Sequence, residues 1–380
     1  MRRNLIIKAL VLGAIGCAFT ITGLAANGDA QGIHSSANEQ QINSQDAARH
    51  EAVRSNWMDR TDIKVGTQSK RTGQIAIETL QPITHYDENS KSVLFAQGDI
   101  DSRGGEAHEF RYYHGASGWW YPLNPLTGKG EGTNVPIQSQ KTERLGTVAN
   151  VGVGYRRLSK GEHAYVGVNA FYDYAFSKNY NRISGGLEYV SGLNEVRANV
   201  YKGLGGIKSE HYQVDLRHID YFPFPLNGGT ASYDVYKTSR VLSGYDVSYA
   251  RTFKNARWAR VYVGAYHWSG IKVASYGSDG PLKVFEAGKS NGVQVGATLQ
   301  VTPHVSLDLG YTSDSKYASG AYGFIKYTLG TSKFAWHRGK HSEDIITNAR
   351  HRMLDKVKRS PMMIGRGYEE YWVVVPWDNL

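Results

Sequence analysis

Long segments of strict period-two alternation constrain the fold of this chain more than any other feature of its sequence. In YVGVNAFYDY, residues 165–174, every second residue from Val166 to Tyr174 is apolar or aromatic, whereas Asn169 and Asp173 mark a mostly polar opposite side. A period of two is the repeat of a β-strand, so one face of this strand is apolar and the other is mostly polar. Either a protein core or the lipid of a membrane could cover the apolar face.

Similar segments recur from Gln74 to about Gly330. They are close to the roughly ten residues that a tilted membrane strand needs, whereas strands of soluble sheets usually have about five or six. No helical pattern separates them, which excludes a parallel α/β fold. The 11 predicted strands are 74–83, 92–100, 148–158, 165–174, 181–190, 194–204, 242–252, 256–268, 292–301, 304–313 and 319–329.

The composition favours lipid as the environment of the apolar faces. The chain has 43 glycines and 26 tyrosines, and the tyrosines recur toward strand ends, where amphipathic rings suit a boundary with water. Mean hydropathy is negative, which excludes a helical membrane protein but agrees with strands whose polar faces lower the average. A closed barrel also leaves no unpaired sheet edge in lipid. We therefore predict an all-β fold, a closed antiparallel transmembrane β-barrel of the outer-membrane type.

The N-terminus has the pattern of a secretory signal peptide. A basic start, MRRNLIIK, precedes an apolar stretch at 9–24 and two small residues. Residues 1–26 are therefore predicted to be cleaved, which would remove Cys17, the single cysteine of the chain. A mature chain without cysteine has neither a disulfide framework nor a cysteine metal site. The polar residues 27–72 are predicted to form a periplasmic lead-in.

The net charge of +10 does not indicate nucleic-acid binding. The lysines and arginines are scattered along the predicted strands and in the C-terminal segment, and no nucleic-acid recognition motif is present. We therefore predict no nucleic-acid partner.

Alternation also assigns side chains to the two surfaces of the predicted barrel. The apolar positions are predicted to face lipid: Val151, Val153, Val166, Val168, Tyr172, Val293, Val295 and Leu299. The opposite positions are predicted to face the lumen: Asn150, Arg156, Asn169, Asp173, Glu188, Arg197, Asp246, Gln294, Thr298 and Asp308.

These inward groups form no recognisable catalytic pattern. Acids and bases that face a narrow lumen usually pair with one another, and a functional claim would need a shared geometry. The histidines of the predicted barrel are scattered, and His108 and His114 in a predicted loop match metal-ligand spacing only loosely. We predict no enzymatic activity, no catalytic or cofactor-binding residues, no metal site and no cofactor.

Several motifs, taken in order, resemble the barrel domain of intimin/invasin-type inverse autotransporters. NVGVGYRRL is followed by YVGVNAFYDYAFS, RISGGLEYV and VRANVYKGL, and later by SGYDVSYA, GVQVGATLQVTPHVSLDLGY and RHRMLDKVKRSPMMI. The resemblance covers about 74–364 and is most specific at 150–204. It implies a barrel of about 12 strands, an even number as single-chain barrels require. One strand is then missing, and it is predicted to lie in 206–218 or 271–287, where the alternation is poor.

The resemblance further implies that a segment after the last strand turns back through the pore. Residues 341–359 would be this segment, and its cations would be Arg350, Arg352, Lys356, Lys358 and Arg359. Without the resemblance, the same residues would be interpreted as a solvated tail. The predicted units are a signal peptide at 1–26, a lead-in at 27–72, a barrel at 73–332, a pore-threading linker at 333–364 and a short tail at 365–380.

The sequence departs from the family pattern in three places. No peptidoglycan-binding module precedes the barrel, the loop at 102–144 is extended, and no immunoglobulin-like passenger follows before Leu380. We predict an anchor and translocator in the outer membrane after signal-peptide cleavage. Its expected partners are outer-membrane lipid, the barrel-assembly machinery and periplasmic chaperones, and its expected state is a monomer. A small porin-like channel and, less favoured, a barrel enzyme are the alternatives.

Overall fold

The fold is taken from a computed structural model, and the predicted signal peptide lies outside the residues that it describes. Most of the predicted lead-in and the first part of the predicted linker also lie outside them. The described residues are 57–68, 73–87, 89–114, 137–206, 208–215, 232–254, 256–275, 283–287, 289–315, 319–330, 348–360 and 363–374.

Most of the described residues belong to strands. Two short 3-10 turns, Trp57–Arg60 and Ala349–Arg352, are the helical elements within the described ranges, and no helix there is long and apolar enough to cross a membrane. The strands are β1 (Thr61–Gln68), β2 (Gln74–Pro82), β3 (Ser92–Asp101), β4 (Gly105–His114), β5 (Ile137–Arg144), β6 (Val148–Leu158), β7 (Ala164–Ala175), β8 (Tyr180–Ser191), β9 (Asn194–Leu204), β10 (Lys208–Asp215), β11 (Ser232–Val241), β12 (Gly244–Thr252), β13 (Ala259–Trp268), β14 (Ile271–Ser275), β15 (Lys283–Ala287), β16 (Ser290–Gln300), β17 (Val305–Asp314), β18 (Gly320–Thr328) and β19 (Met363–Val374).

Twelve of these strands close into an antiparallel barrel. Their order around the barrel is β1-β18-β17-β16-β13-β12-β9-β8-β7-β6-β3-β2, and β2 pairs with β1 to complete the circle. β1 and β18 close the sheet with Asp62 opposite Thr328 and Val65 opposite Ile325. The predicted fold class is confirmed, and all 11 predicted strands are barrel strands.

The predicted place of the twelfth strand is wrong. The missing strand is β1, which lies inside the stretch 27–72 predicted as a lead-in. Its sequence, TDIKVGTQ, alternates Ile63 and Val65 with Asp62 and Lys64, but it is short and follows a polar stretch. The two regions that had been preferred form β10 and the hairpin of β14 and β15, and these strands lie outside the barrel.

The outer surface of the barrel is apolar. Valines at 153, 166, 168, 293 and 295 are 50–57% exposed, because none of the described residues covers them. The three remaining positions predicted to face lipid, Val151, Tyr172 and Leu299, are half-buried. A continuous apolar surface of this size would be unfavourable in water but is favourable in a bilayer.

The two ends of the barrel differ, and the difference gives its orientation. At one end lie the start of β1, the end of β18 and five short turns, at 83–91, 159–163, 192–193, 253–258 and 301–304. The long connections that contain β4, β5, β10, β11, β14 and β15 all leave from the other end. Outer-membrane barrels have short periplasmic turns and longer extracellular loops, so the first end is periplasmic.

A five-stranded sheet extends the extracellular side. Its order is β10-β11-β19-β4-β5, so the C-terminal strand β19 lies at its centre. β19 runs parallel to β4 and antiparallel to β11. The stretch 102–144, predicted to be an extended loop, therefore contains two strands, and β19 crosses the predicted boundary between the linker and the tail at 364.

Candidate functional site

Residues 348–360, here called the pore segment, run through the inside of the barrel from the periplasmic turns to the extracellular sheet. At the periplasmic end, the Ala349 N–H donates to the carbonyl of Glu162 at 2.7 Å. At the other end, the Met363 N–H donates to the carbonyl of Gly104 at 2.8 Å. The segment therefore joins β18 to β19 by crossing the lumen.

A cluster of hydrogen bonds, here called the periplasmic latch, holds the start of the pore segment. Arg350 donates through Nε and Nη2 to the Glu162 carboxylate, and through Nη1 to the carbonyl of Ser90 at 2.6 Å. Asn348 and Lys91 also donate to Glu162, at 3.2 Å and 2.6 Å. Two turns of the barrel, 83–91 and 159–163, are thereby tied to the segment.

The latch lowers the pKa of Glu162. The hydrogen bond from Arg350 is the main cause. The hydrogen bonds from Lys91 and Asn348 and the charge of Arg350 lower the pKa further, whereas burial raises it by a smaller amount. The pKa of Glu162 therefore falls to about 2. The same hydrogen bond raises the pKa of Arg350. Tyr86 closes the latch by donating from its hydroxyl to the Arg350 carbonyl at 3.0 Å, and burial raises the pKa of this phenol.

The lumen beyond the latch contains an apolar core. Met353, Leu354 and Val357 of the pore segment are buried there against side chains that point inward from the barrel wall. Burying these side chains on both partners removes apolar area from water and favours a filled lumen. The wall residues of this core are Leu80, Val93, Phe95, Leu158, Tyr165, Phe171 and Val190.

Arg156 of β6 binds the main chain of the pore segment. Its Nη1 donates to the carbonyls of Met353, at 2.9 Å, and Asp355, while Nη2 donates to both oxygens of Glu188 at 2.9 Å and 3.1 Å. The guanidinium also stacks over the Phe95 ring, 4.5 Å from its centre. Buried main-chain carbonyls outside regular secondary structure need hydrogen-bond donors, and Arg156 supplies donors for these two.

Gln97 of β3 forms a second contact with the main chain of the segment. Its Oε1 accepts from the Val357 N–H at 2.8 Å, and its Nε2 donates to the Val357 carbonyl at 3.4 Å. The side-chain amide therefore satisfies both polar groups of one residue of the segment.

An ion-pair cluster surrounds Asp173 of β7 nearer the extracellular end. Arg359 of the segment donates to both carboxylate oxygens of Asp173, and Arg182 donates to one of them at 2.7 Å. Arg182 also donates to the carbonyl of Ser360 at 2.9 Å, and the Ser360 N–H donates to the Tyr201 hydroxyl at 2.8 Å. Asp173, Arg182 and Arg359 are all buried or nearly so. Removing one of them would leave an uncompensated buried charge, which is unfavourable.

Two further acids of the wall pair with the segment. Glu195 of β9 accepts from Arg352, Arg197 and Arg260, the last at 2.8 Å. Asp62 of β1 pairs with Lys356 and with Lys326, the latter at 3.0 Å. Five cations thus share two carboxylates.

The backbones of β4 and β19 lie very close together where the segment leaves the lumen. A Cβ on Gly105 would lie 2.9 Å from the carbonyl oxygen of Met363 and from a methyl group of Leu145. Glycine at this position therefore lets β19 begin directly beside β4.

The predicted lumen residues have different partners. Arg156 and Asp173 contact the pore segment directly, Glu188 binds Arg156, and Arg197 lies between Glu188 and Glu195. Others pair within the wall: Asn150 with Asp99 at 2.6 Å, Asn169 with Glu188 at 3.3 Å, Asp246 with Asn199 at 2.7 Å, Gln294 with Tyr322 at 2.7 Å and Asp308 with Tyr262 at 2.6 Å. Thr298 is half-buried and lines a cavity beside the segment.

Four acids are predicted to face the lumen: Asp173, Glu188, Asp246 and Asp308. Of these, Asp173 alone forms an ion pair with the segment among the described residues. Sequence reasoning missed three acids that do so, Glu162, Asp62 and Glu195. It also missed Gln97, which forms hydrogen bonds with the main chain of the segment. Glu195 lies two residues before Arg197 in one strand, so the alternation that placed Arg197 inward also predicts an inward Glu195. Asp62 was missed together with β1.

No group of three or more potential ligands from His, Cys, Asp and Glu lies together in the part of the chain that the structure describes. His108 and His114 lie on β4, opposite Arg366 and Trp372 of β19 in the register, and their side chains are outside that part. The acids of the described lumen are engaged with arginines, lysines, amides and tyrosines.

A closed barrel of 12 strands with an apolar exterior and a chain segment crossing its lumen defines an outer-membrane anchor and translocator. The family model of the inverse autotransporter β-domain matches residues 136–361, and the chain belongs to this family. The suspected family is thus confirmed.

Solved structures give weaker matches. A chain from work on in-meso crystallization of membrane proteins is 15% identical, with 82% of this chain and 99% of that chain covered and a TM-score of 0.47. The KdgM porin is 4% identical over 70% and 97% of the two chains, with a TM-score of 0.32. The translocator domain of the autotransporter NalP from Neisseria meningitidis is 8% identical over 70% and 85%, with a TM-score of 0.25. No curated protein matches the sequence.

Proposed function

We propose that the pore segment closes the barrel and presents β19 at the cell surface, so that this anchor and translocator rests as a plugged pore. The observation that carries the proposal is the ion pair of Arg359 with Asp173, supported by Arg182. Buried ion pairs with several donors are costly to break, because the partner left behind is an uncompensated charge. A segment held in this way stays in the lumen.

The chemistry of the lumen supports a non-enzymatic role. Three buried carboxylates of the barrel wall, those of Asp173, Glu188 and Glu195, are each bound by arginines. A general acid or base needs a free path for its proton to a substrate. We propose that the protein has no catalytic activity and no resident cofactor or metal.

The remaining partners follow from the location. We propose that residues 1–26 are removed on export, that periplasmic chaperones and the barrel-assembly machinery insert the chain, and that it works as a monomer in lipid. The porin-like alternative would be favoured if the segment lay outside the lumen. The contacts of Arg156, Gln97 and Arg359 with the segment favour the plugged anchor over it.

Cysteine labelling in whole cells tests the proposal. With Cys17 removed by signal-peptide cleavage, Leu380→Cys would be the single thiol of the mature chain. We expect a membrane-impermeant maleimide to label this variant in intact cells. The matched control, His85→Cys in the periplasmic turn 83–91, should be labelled only after the outer membrane is permeabilised. Labelling of both variants only after permeabilisation would show that the C-terminal segment does not reach the cell surface.

A further inference from the structure

The pore segment does not fill the whole lumen. A cavity remains between the segment and the wall formed by β1, β9, β12, β13, β16, β17 and β18. Its lining includes Asp59, Arg257 and Trp258, which lie at or next to the periplasmic turns, so the cavity faces the periplasm. The lining also includes Arg352 and Lys356, whose ion pairs with the wall help to hold the plug.

The cavity carries an excess of positive charge. Eight arginines and lysines line it, against four aspartates and glutamates. Just beyond it, Glu78 interacts electrostatically with Lys356 and Lys358 and compensates part of this charge. Buried or confined charges of one sign are unfavourable unless an opposite charge neutralises them. Within the lining itself, the cations outnumber the carboxylates by four, eight against four.

Four of these cations still have donors to offer. Lys326 and Lys356 both bind the same oxygen of Asp62, Oδ2, so each ammonium group keeps two further N–H donors. Arg260 binds Glu195 through Nε and Nη2, which leaves its Nη1 for another acceptor. Lys358 is exposed to the cavity, and no salt bridge joins it to any described acid.

We propose that this cavity is a binding site for a small oxyanion of the size of phosphate, taken up from the periplasm. The donors come from two wall strands, β13 and β18, and from the pore segment, so an anion there would bridge the plug and the wall. Arginine and lysine together suit an oxyanion because one offers a planar pair of donors and the other a point charge. The inference rests on the pore segment occupying the lumen.

Titration calorimetry with inorganic phosphate tests the site on the full-length protein, folded in nonionic detergent at low ionic strength. We expect saturable binding with one phosphate per chain, competition by sulfate, and much weaker competition by chloride. Loss of one charge-assisted hydrogen bond in Lys358→Gln should weaken binding about tenfold. The control Lys202→Gln removes an exposed lysine from β9 that does not line the cavity, and it should bind like the unchanged protein.

Two results would overturn the proposal. One is the absence of saturable phosphate binding to the unchanged protein, a result that does not depend on any variant. The other is equal binding by Lys358→Gln and Lys202→Gln. Ending the chain after Gly330 separates this inference from the plug itself. If the shortened barrel conducts more ions but the full-length protein does not bind phosphate, the plug stands and the anion site is refuted alone.

Discussion

Arg359 of the pore segment and Asp173 of β7 form a two-point ion pair inside the barrel, in which Nη1 and Nη2 donate to the two carboxylate oxygens. Both side chains are almost inaccessible to solvent. The pair lies between the latch and the extracellular sheet, and Arg359 also stacks over Phe171, 4.1 Å from the ring centre. The segment is therefore fixed to the wall by charge and by packing at the same residue.

Replacing Asp173 should loosen the plug. Asp173→Asn removes the carboxylate charge that binds Arg182 and Arg359 inside the barrel, which is expected to destabilise the folded protein by about 3–5 kcal/mol. We expect higher single-channel conductance and a lower urea midpoint in gel-shift unfolding. The control is Asp308→Asn, because Asp308 accepts from Tyr262 on the wall and no contact joins it to the described part of the segment. Equal effects of the two changes would contradict the role of the ion pair.

The apolar core of the lumen should contribute to stability as a protein interior does. Met353 is fully buried against wall side chains, so Met353→Ala is expected to lower the free energy of unfolding by about 2–5 kcal/mol through lost contacts and a cavity. Val295→Ala on the outer surface should cost less, because lipid can fill the space. Urea unfolding of both variants in the same lipid measures the difference. A larger loss for the outer variant would mean that the core does not hold the segment.

The two faces of β16 should respond differently to an added charge. Val295→Arg places a cation in the apolar exterior, at an expected cost of about 2–4 kcal/mol. Thr298→Arg places it inside, directly across from Asp308 in the register of β16 and β17, and should cost little. Folding yield and unfolding midpoints in lipid vesicles distinguish the two. Similar losses at both positions would show that the faces are wrongly assigned.

Acid should weaken the periplasmic latch. The pKa of Glu162 is about 2 in the folded protein, below its ordinary value of 4.5. The stabilising effect of its ionised form is therefore complete above about pH 4.5 and is lost as the pH falls toward 2. Protease cleavage of the start of the pore segment should increase over that range.

Glu162→Gln is the control for the latch, because it removes the titrating group. The pKa of Asp87 in the neighbouring turn is also lowered, mainly by the Ser90 hydroxyl, so some pH dependence should remain in the variant. Cleavage that rises as steeply in Glu162→Gln as in the unchanged protein would exclude Glu162 as the cause.

The outward face of the barrel could be predicted from sequence because it is encoded locally. Lipid requires an apolar side chain at every second position of each strand, so Val166 and Val168 reveal their orientation without knowledge of any neighbour. The same rule failed for β1, where just Ile63 and Val65 mark the face. It also failed for β4, β10 and β19, which lie outside the membrane and need no apolar alternation.

The interior could not be predicted to the same extent because it depends on contacts between distant strands. Phe171 lies on the same, mostly polar face of its strand as Asn169 and Asp173. From the alternation alone, it would be interpreted as an isolated apolar residue in a polar lumen. In the fold, it belongs to the same buried core as Phe95 and Met353, which are far away in sequence. Pairings such as Glu162 with Arg350 likewise appear only once the segment is placed in the barrel.

The central claim is that the chain after β18 occupies the pore, and single-channel recording in planar bilayers tests it most directly. The comparison is between the full-length protein and a chain ended after Gly330, which retains all 12 barrel strands. Low conductance of the full-length protein and a clear increase on shortening are the predicted results. If the two proteins conduct equally, the pore segment does not close the barrel.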